Sequence, residues 1–145
     1  MPRLTYPFGP DGLFVPAVVA LSAPAMQALH AQGGSLPAPL HARGLLDSGS
    51  TVTAVVPRLL AALNATPGPA TQTVTAGGNV PVQFYRISFT IHNRPVSTAS
   101  YSQVDWLVTS LAHDLDDVDV LFGLDLLREI VLNVNGPGQT FSLDF

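Results

Sequence analysis

The apolar residues of this chain come in short runs, and this spacing limits the fold more than any other feature. Prolines and glycines, 13 and 12 of the 145 residues, separate the runs. Short runs rich in β-branched residues and bounded by turn-forming residues are typical of strands rather than of helices. We therefore predict a mainly β structure, a sandwich or a barrel, in one domain that spans residues 1–145.

One predicted hairpin stands out, because Thr71–Thr75 and Val80–Phe84 flank a tip at Gly77, Gly78 and Asn79. Its second arm alternates apolar and polar residues as far as Ile91, as a half-buried strand does. Residues 1–12, rich in proline and glycine, are predicted to form an extended N-terminal arm. Further strands are predicted at 13–21, 41–46, 52–56, 118–122, 130–134 and 139–145, and short helices near 23–32, 57–63 and 124–129.

Charge and composition exclude several functions. The net charge is −4, there is no lysine, and the six arginines are scattered, which argues against nucleic-acid binding. No apolar run is long enough to span a bilayer, and the N-terminus lacks the apolar core of a signal peptide. The absence of cysteine excludes disulfides, thiol catalysis and thiolate metal sites. It also fits a reducing compartment, and we expect a cytoplasmic protein without membrane contact.

The most informative charged residue is Asp47, which lies in the stretch from Gly44 to Val56. Leu45 and Leu46 lead into Asp47, small residues follow it at once, and the apolar run then resumes. A carboxylate between two apolar runs destabilises a fold unless it is hydrogen-bonded or used. Asp-Ser-Gly is also good turn chemistry, so these residues by themselves leave a structural turn and a catalytic carboxylate both open.

Two segments in the right order resemble one family. Leu45-Leu46-Asp47-Ser48-Gly49-Ser50-Thr51 is similar to the hydrophobic-hydrophobic-Asp-Thr/Ser-Gly-Ala/Ser motif of aspartic proteases. Val120-Leu121-Phe122-Gly123-Leu124-Asp125-Leu126-Leu127 resembles the hydrophobic-hydrophobic-Gly-x-Asp/Asn-x-Leu segment of the single-domain, retropepsin-like members. The glycine-tipped hairpin lies between them, where that family has its flap, the hairpin that closes over substrate. The chain thus resembles a retropepsin-like aspartic protease, and we expect a bacterial-type member.

The resemblance implies a closed β-barrel or sandwich with one short C-terminal helix. An additional helix is expected near residues 23–32. The resemblance also implies a homodimeric endopeptidase that needs no cofactor and no metal. In this dimer the two Asp47 carboxylates, one from each subunit, together activate one water. Ser48, Gly49 and Ser50 would form the active-site loop, and Gly77, Gly78 and Asn79 the flap tip. Gly123 and Asp125 would be structural. The family also joins its subunits through terminal strands, so Thr140–Phe145 is expected to pair with a partner chain.

The sequence departs from the retroviral pattern at two positions. Thr51 and Leu124 stand where retroviral members often have Asp and Arg, so any substrate contact of that Asp is not transferred to this chain. Residues 22–38 look inserted relative to a minimal retroviral enzyme. Two alternatives stay open. The chain could be a weakly active or inactive dimerisation or peptide-binding module of the same fold. The acidic residues between Asp114 and Asp119, beside His113, suggest a metal site, although a solvated acidic loop is favoured.

Overall fold

Two β-sheets and three short helices make up the chain, and the computed structural model describes all residues, 1–145. The strands are β1 (Arg3–Pro7), β2 (Phe14–Leu21), β3 (Leu40–Leu46), β4 (Ala54–Val55), β5 (Ala70–Thr75), β6 (Gly78–His92), β7 (Ser100–Ser110), β8 (Val120–Phe122), β9 (Val131–Asn135) and β10 (Thr140–Asp144). The helices are α1 (Ala23–Ala31), α2 (Pro57–Ala62) and α3 (Leu124–Leu127).

The larger sheet has seven strands, of which six form a closed barrel and one lies in a projecting arm. Their order is β2-β3-β8-β4-β7-β6-β5, and β2 also pairs with β6, which closes the ring and leaves β5 outside it. Strand β3 runs parallel to β8, and β4 runs parallel to β7, while the other pairs are antiparallel. The predicted all-β architecture, a closed barrel with few helices, is confirmed.

The alternation of side chains along the strands builds the barrel interior. In β2, every second residue from Val15 to Leu21 is buried, as expected for a strand with one face on a core. Phe89 lies at the centre of the aromatic packing, with its ring centroid 5.2 Å from that of Phe122 and 5.9 Å from that of Trp106. Gly44 on β3 is needed for this packing, because an added Cβ would collide with the Phe122 ring.

A separate three-stranded sheet, in the order β1-β10-β9, joins the two ends of the chain. Leu4 lies opposite Leu143, and both are buried. On the other face, the guanidinium of Arg3 donates two hydrogen bonds to the carboxylate of Asp144, the second at 2.9 Å. Asn133 Nδ2 donates a third to Asp144, at 3.1 Å. This arrangement pins the N-terminal arm to the C-terminal strand.

The expectation that Thr140–Phe145 pairs with a partner chain is wrong for this strand. Strand β10 lies between β1 and β9 of its own chain, so both of its hydrogen-bonding edges are occupied. Alternating polarity identified the apolar face of the strand but not its neighbours. The polar residues Ser142 and Asp144 are buried as well, and Asp144 is hydrogen-bonded by Arg3 and Asn133 of the flanking strands.

The helix predicted at residues 23–32 is present as α1. Ser22 caps its N-terminus, where the Ser22 hydroxyl accepts a hydrogen bond from Ala25 N at 3.4 Å. Pro24 lies in the first turn, and Gly33, with a φ of +73°, follows its end. Helix α2 begins at Pro57, as the position of that proline predicts. No helix in the structure is long and apolar enough to cross a membrane.

Candidate active site

Asp47 lies in a tight turn directly after β3. Asp47 N donates to Phe122 O at 2.8 Å, which continues the pairing of β3 with β8 by one residue. Asp47 Oδ1 accepts from Gly49 N at 2.9 Å, and Ser50 N donates to Asp47 O at 3.2 Å. An added Cβ at Gly49 would stand 3.1 Å from Asp47 Oδ1, so glycine permits this close approach. The turn therefore fixes the half-buried carboxylate and leaves Oδ2 without a protein hydrogen bond.

The second motif lies directly against this turn. Leu124 N donates to Ser50 O at 2.8 Å, and Ser50 Oγ donates to Val52 O at 2.9 Å. A Cβ at Gly123 would stand 2.7 Å from Ser50 O and 2.9 Å from the carbonyl carbon of Val52. Only glycine fits without moving the backbone of the Asp47 turn. The contacts of Gly123 thus explain physically why a glycine is present at this position.

Asp125 is the most heavily hydrogen-bonded carboxylate near the turn. Its two oxygens accept from Thr53 N at 3.0 Å, Thr53 Oγ1 at 2.8 Å and Trp106 Nε1 at 3.1 Å. Asp125 Oδ1 also accepts from Leu126 N at 2.9 Å. With all four donors from its own chain, this carboxylate ties the segment after the Asp47 turn to α3 and β7.

Asp47 faces an open cleft of about 610 Å³. The turn and β4 form one side, the ends of β7 and β8 contribute to the floor, and β5 forms the opposite wall. No other ionisable side chain lines the cleft. The remaining lining residues are small, hydroxyl-bearing, amide or apolar: Gly49, Ser50, Thr51, Val52, Ala54, Thr71, Gln72, Thr73, Val74, Phe84, Thr109, Ser110, Leu111 and Leu121.

The hairpin that forms the far wall differs slightly from its prediction. The two-residue turn is Ala76–Gly77, and Asn79 already lies within β6, opposite Val74. Only Gly78 of the tip has a positive φ, +107°. The Thr75 hydroxyl accepts from Gly77 N at 3.2 Å and donates to Gly78 O at 2.9 Å. The turn therefore lies one residue earlier than predicted, and Gly78, the one tip residue with a positive φ, is the first residue of β6.

The predicted site residues fall into three places. Asp47, Gly49 and Ser50 line the cleft, and Ser48 is exposed beside them with no hydrogen bond from its hydroxyl. Gly123 and Asp125 lie behind the turn. Gly77, Gly78 and Asn79 lie at the outer end of the hairpin, whose strand β5 lines the cleft.

The acidic segment before β8 is not assembled around a metal position. Asp119 pairs with Arg58 at 2.6 Å and accepts from Arg43 N at 2.8 Å. Asp114 accepts from Arg58 N at 2.9 Å. No group of three or more His, Cys, Asp or Glu side chains lies where it could hold a metal ion. These carboxylates instead connect the loop to β3 and α2.

Sequence reasoning missed two of the residues that donate hydrogen bonds to Asp125, Thr53 and Trp106. Thr53 is fully buried, although a threonine between Val52 and Ala54 looks like an ordinary strand residue. The ring of Trp106 packs against that of Phe89, and its indole N–H also donates a hydrogen bond to Asp125. Neither partner could be found from sequence spacing, because Thr53 lies 72 residues and Trp106 lies 19 residues from Asp125.

Comparison with known proteins supports the architecture at the level of the fold. No protein-family model matches the chain, and no curated protein does. Among solved structures, the chain is similar to a retropepsin-like aspartic protease from Rickettsia conorii, with a TM-score of 0.58 and 11% sequence identity. The match covers 98% of this chain and 89% of that one. This chain therefore has the fold of a retropepsin-like aspartic protease.

Proposed function

We propose that the protein is an aspartic endopeptidase, a bacterial-type retropepsin-like enzyme that works as a homodimer. One observation carries the proposal: Asp47 is the single ionisable side chain in a cleft whose far wall is a glycine-tipped hairpin. A structural turn would explain the Gly49 N–H bond to Oδ1, but it requires neither the cleft nor the free Oδ2. The matching fold of a solved aspartic protease supports the same conclusion.

The chemistry requires a second copy of the chain. One subunit supplies one carboxylate to its cleft, whereas peptide hydrolysis by this route uses two. Two Asp47 side chains a few ångströms apart would share one proton, because two negative charges at that distance repel. The ionised group accepts a proton from a bound water, which attacks the peptide carbonyl. The protonated group then donates a hydrogen bond to the developing oxyanion. Ser48, exposed next to Asp47, would contact the other subunit's loop.

The cleft suggests an extended peptide with uncharged side chains as the substrate. Strand β5 pairs with β6 on one side only, so its other edge is free to add a peptide strand by backbone hydrogen bonds. Val52, Phe84 and Leu121 offer apolar contacts in the cleft that Asp47 lines, and no cationic side chain lines this cleft. We therefore expect apolar residues on both sides of the scissile bond. The hairpin tip, Gly77, Gly78 and Asn79, would close over the bound peptide.

A mixed peptide library tests the proposal when wild type is compared with Asp47→Asn. We expect peptide cleavage by wild type and loss of turnover in the variant, with an unchanged unfolding temperature. Asp116→Asn is the matched control, because Asp116 is exposed, makes no hydrogen bond and lies outside the cleft. Cleavage that persists in Asp47→Asn would disprove the mechanism. Peptides that bind wild type without being cut would establish the peptide-binding module instead. The expected cytoplasmic location stays a prediction, which cell fractionation would test.

A further inference from the structure

Strand β9 has an outer edge that no part of the chain covers. Phe8 N donates to Gln139 O and Phe145 N to Pro2 O, which fixes the phase of the antiparallel ladder. Bonded and non-bonded pairs alternate along such a ladder, so β10 bonds β9 through three pairs of the register: Thr140 with Asn135, Ser142 with Asn133 and Asp144 with Val131. The backbone N–H and C=O groups of Leu132 and Val134 therefore point away from β10, with no strand beyond them.

The opposite edge of the same sheet is protected. On β1, Thr5 O accepts a hydrogen bond from Asn93 Nδ2 at 2.6 Å, and Pro7 has no N–H to donate. Charge and proline on an edge strand are common devices against pairing with another chain. Strand β9, Val-Leu-Asn-Val-Asn, has neither. Its valines are unusually exposed, Val131 at 51% and Val134 at 54%. The contrast marks β9 as the edge that is open to another strand.

We propose that two copies of this chain join along β9, antiparallel across a two-fold axis at Asn133. This inference deepens the proposed function and rests on its homodimer. In this register Leu132 lies opposite Val134 of the partner subunit, and the symmetry repeats the pair. All the outward backbone groups of both residues are then bonded, in four hydrogen bonds. Registers centred on Leu132 or on Val134 would use fewer outward groups of the strand.

The same register suits the side chains. Leu132 and Val134 lie on the same face of β9, so Leu132 of the partner subunit would cover the half-exposed Val134. Because the strand is uncharged, its two copies meet without repulsion, as a self-complementary isologous contact requires. The two terminal sheets would become one continuous sheet of six strands. This differs from an exchange of C-terminal strands, which the central position of β10 prevents.

Disulfide trapping tests the register, because the chain has no cysteine of its own. The paired Asn133 residues would form a non-hydrogen-bonded pair, with Cα atoms about 4.5 Å apart, a separation that a disulfide spans. Under mild oxidation, Asn133→Cys should give a covalent species of twice the 15.2 kDa subunit mass. Thr5→Cys, on the protected edge, is the matched control and should stay uncrosslinked. Equal trapping at both positions, or none at residue 133, would overturn the proposal.

A second variant avoids the lost Asn133–Asp144 hydrogen bond. Val134→Lys should place two charges near the two-fold axis and weaken dimerisation at least tenfold in sedimentation equilibrium, whereas Val104→Lys should not. Val104 is also an exposed valine, on β7. A wild-type chain that sediments as a monomer, or a Val134→Lys variant that dimerises normally, would count against the β9 contact.

Peptide hydrolysis is measured separately on the same samples. A trapped Asn133→Cys dimer that cuts no peptide would leave the interface standing and refute the endopeptidase. Cleavage by wild type together with failure to trap residue 133 would do the reverse, placing the active dimer on another surface.

Discussion

Thr53 and Asp125 are joined by two hydrogen bonds, one from the backbone and one from the side chain of the same threonine. Thr53 N lies 3.0 Å from Asp125 Oδ2, and Thr53 Oγ1 lies 2.8 Å from Asp125 Oδ1. Thr53 Oγ1 in turn accepts from Gly123 N at 3.3 Å. The pair connects the chain leaving the Asp47 turn with the glycine that contacts that turn, so the position of Asp47 depends on it.

Removal of the Asp125 carboxylate should therefore destabilise the fold. Asp125→Ala leaves the buried Thr53 hydroxyl and the Trp106 indole without their acceptor, and we expect a loss of about 2–4 kcal/mol in unfolding free energy. Urea unfolding measures it, with Asp116→Ala as the control for a lost surface carboxylate. Asp125→Asn, which keeps one carbonyl acceptor, should fall between the two. An Asp125→Ala chain as stable as wild type would show that these bonds contribute nothing net.

Gly123→Ala should disturb the Asp47 turn through one methyl group. The added Cβ would stand 2.7 Å from Ser50 O and must push the turn or α3 away. We expect about 1–3 kcal/mol of destabilisation by overpacking, together with a fall in peptide turnover. Gly136→Ala is the control, because nothing lies within 4 Å of its added Cβ. Equal stability and turnover in the two variants would contradict this account of Gly123.

Acid should weaken the terminal sheet. The hydrogen bonds from Arg3 hold the pKa of Asp144 below its ordinary value of 3.8. A carboxyl whose folded pKa is depressed contributes stability that is present above the unfolded pKa and is lost as the pH falls through the lower, folded pKa. Thermal unfolding from pH 7 to pH 2 should show wild type losing stability below about pH 4 more steeply than Asp144→Asn. Parallel curves would mean that another carboxylate controls the acid limb.

The backbone conformation of Gly78 at the hairpin tip should affect peptide hydrolysis. Gly78→Ala meets no neighbour within 4 Å, so its only penalty is the φ of +107°, which costs a residue other than glycine about 1–3 kcal/mol. Under the proposed function, kcat/KM should fall more in Gly78→Ala than in Gly77→Ala, which adds the same methyl where φ is not positive. Identical kcat/KM values would show that the tip conformation does not limit catalysis.

Local chemistry predicted most of the fold. The Ser22 cap, the glycines after α1, the β-branched runs and the glycine-tipped hairpin act within a few residues, and each produced the expected type of element. The errors concern distant partners. Buried Ser142 and Asp144 depend on flanking strands, and Asp144 is 141 residues from Arg3. Strand β4 covers only Ala54–Val55 of the predicted strand 52–56, because Thr53 donates its backbone and side-chain hydrogen bonds to Asp125. The resemblance predicted a structural role for Asp125 but did not identify its partners.

Strand β6 has a mechanical consequence for the hairpin. Its first residues pair with β5 in the projecting arm, and its later residues, including the buried Ile87, pair with β7 and β2 in the barrel. Gly68 N donates to Phe84 O at 2.7 Å, and Phe84 N donates to Pro69 O at 3.0 Å, so the arm is clamped at its root. The projecting part of the hairpin therefore bends about Phe84. Because β6 continues into the barrel wall without an intervening loop, any movement of the tip is transmitted along this strand to the barrel.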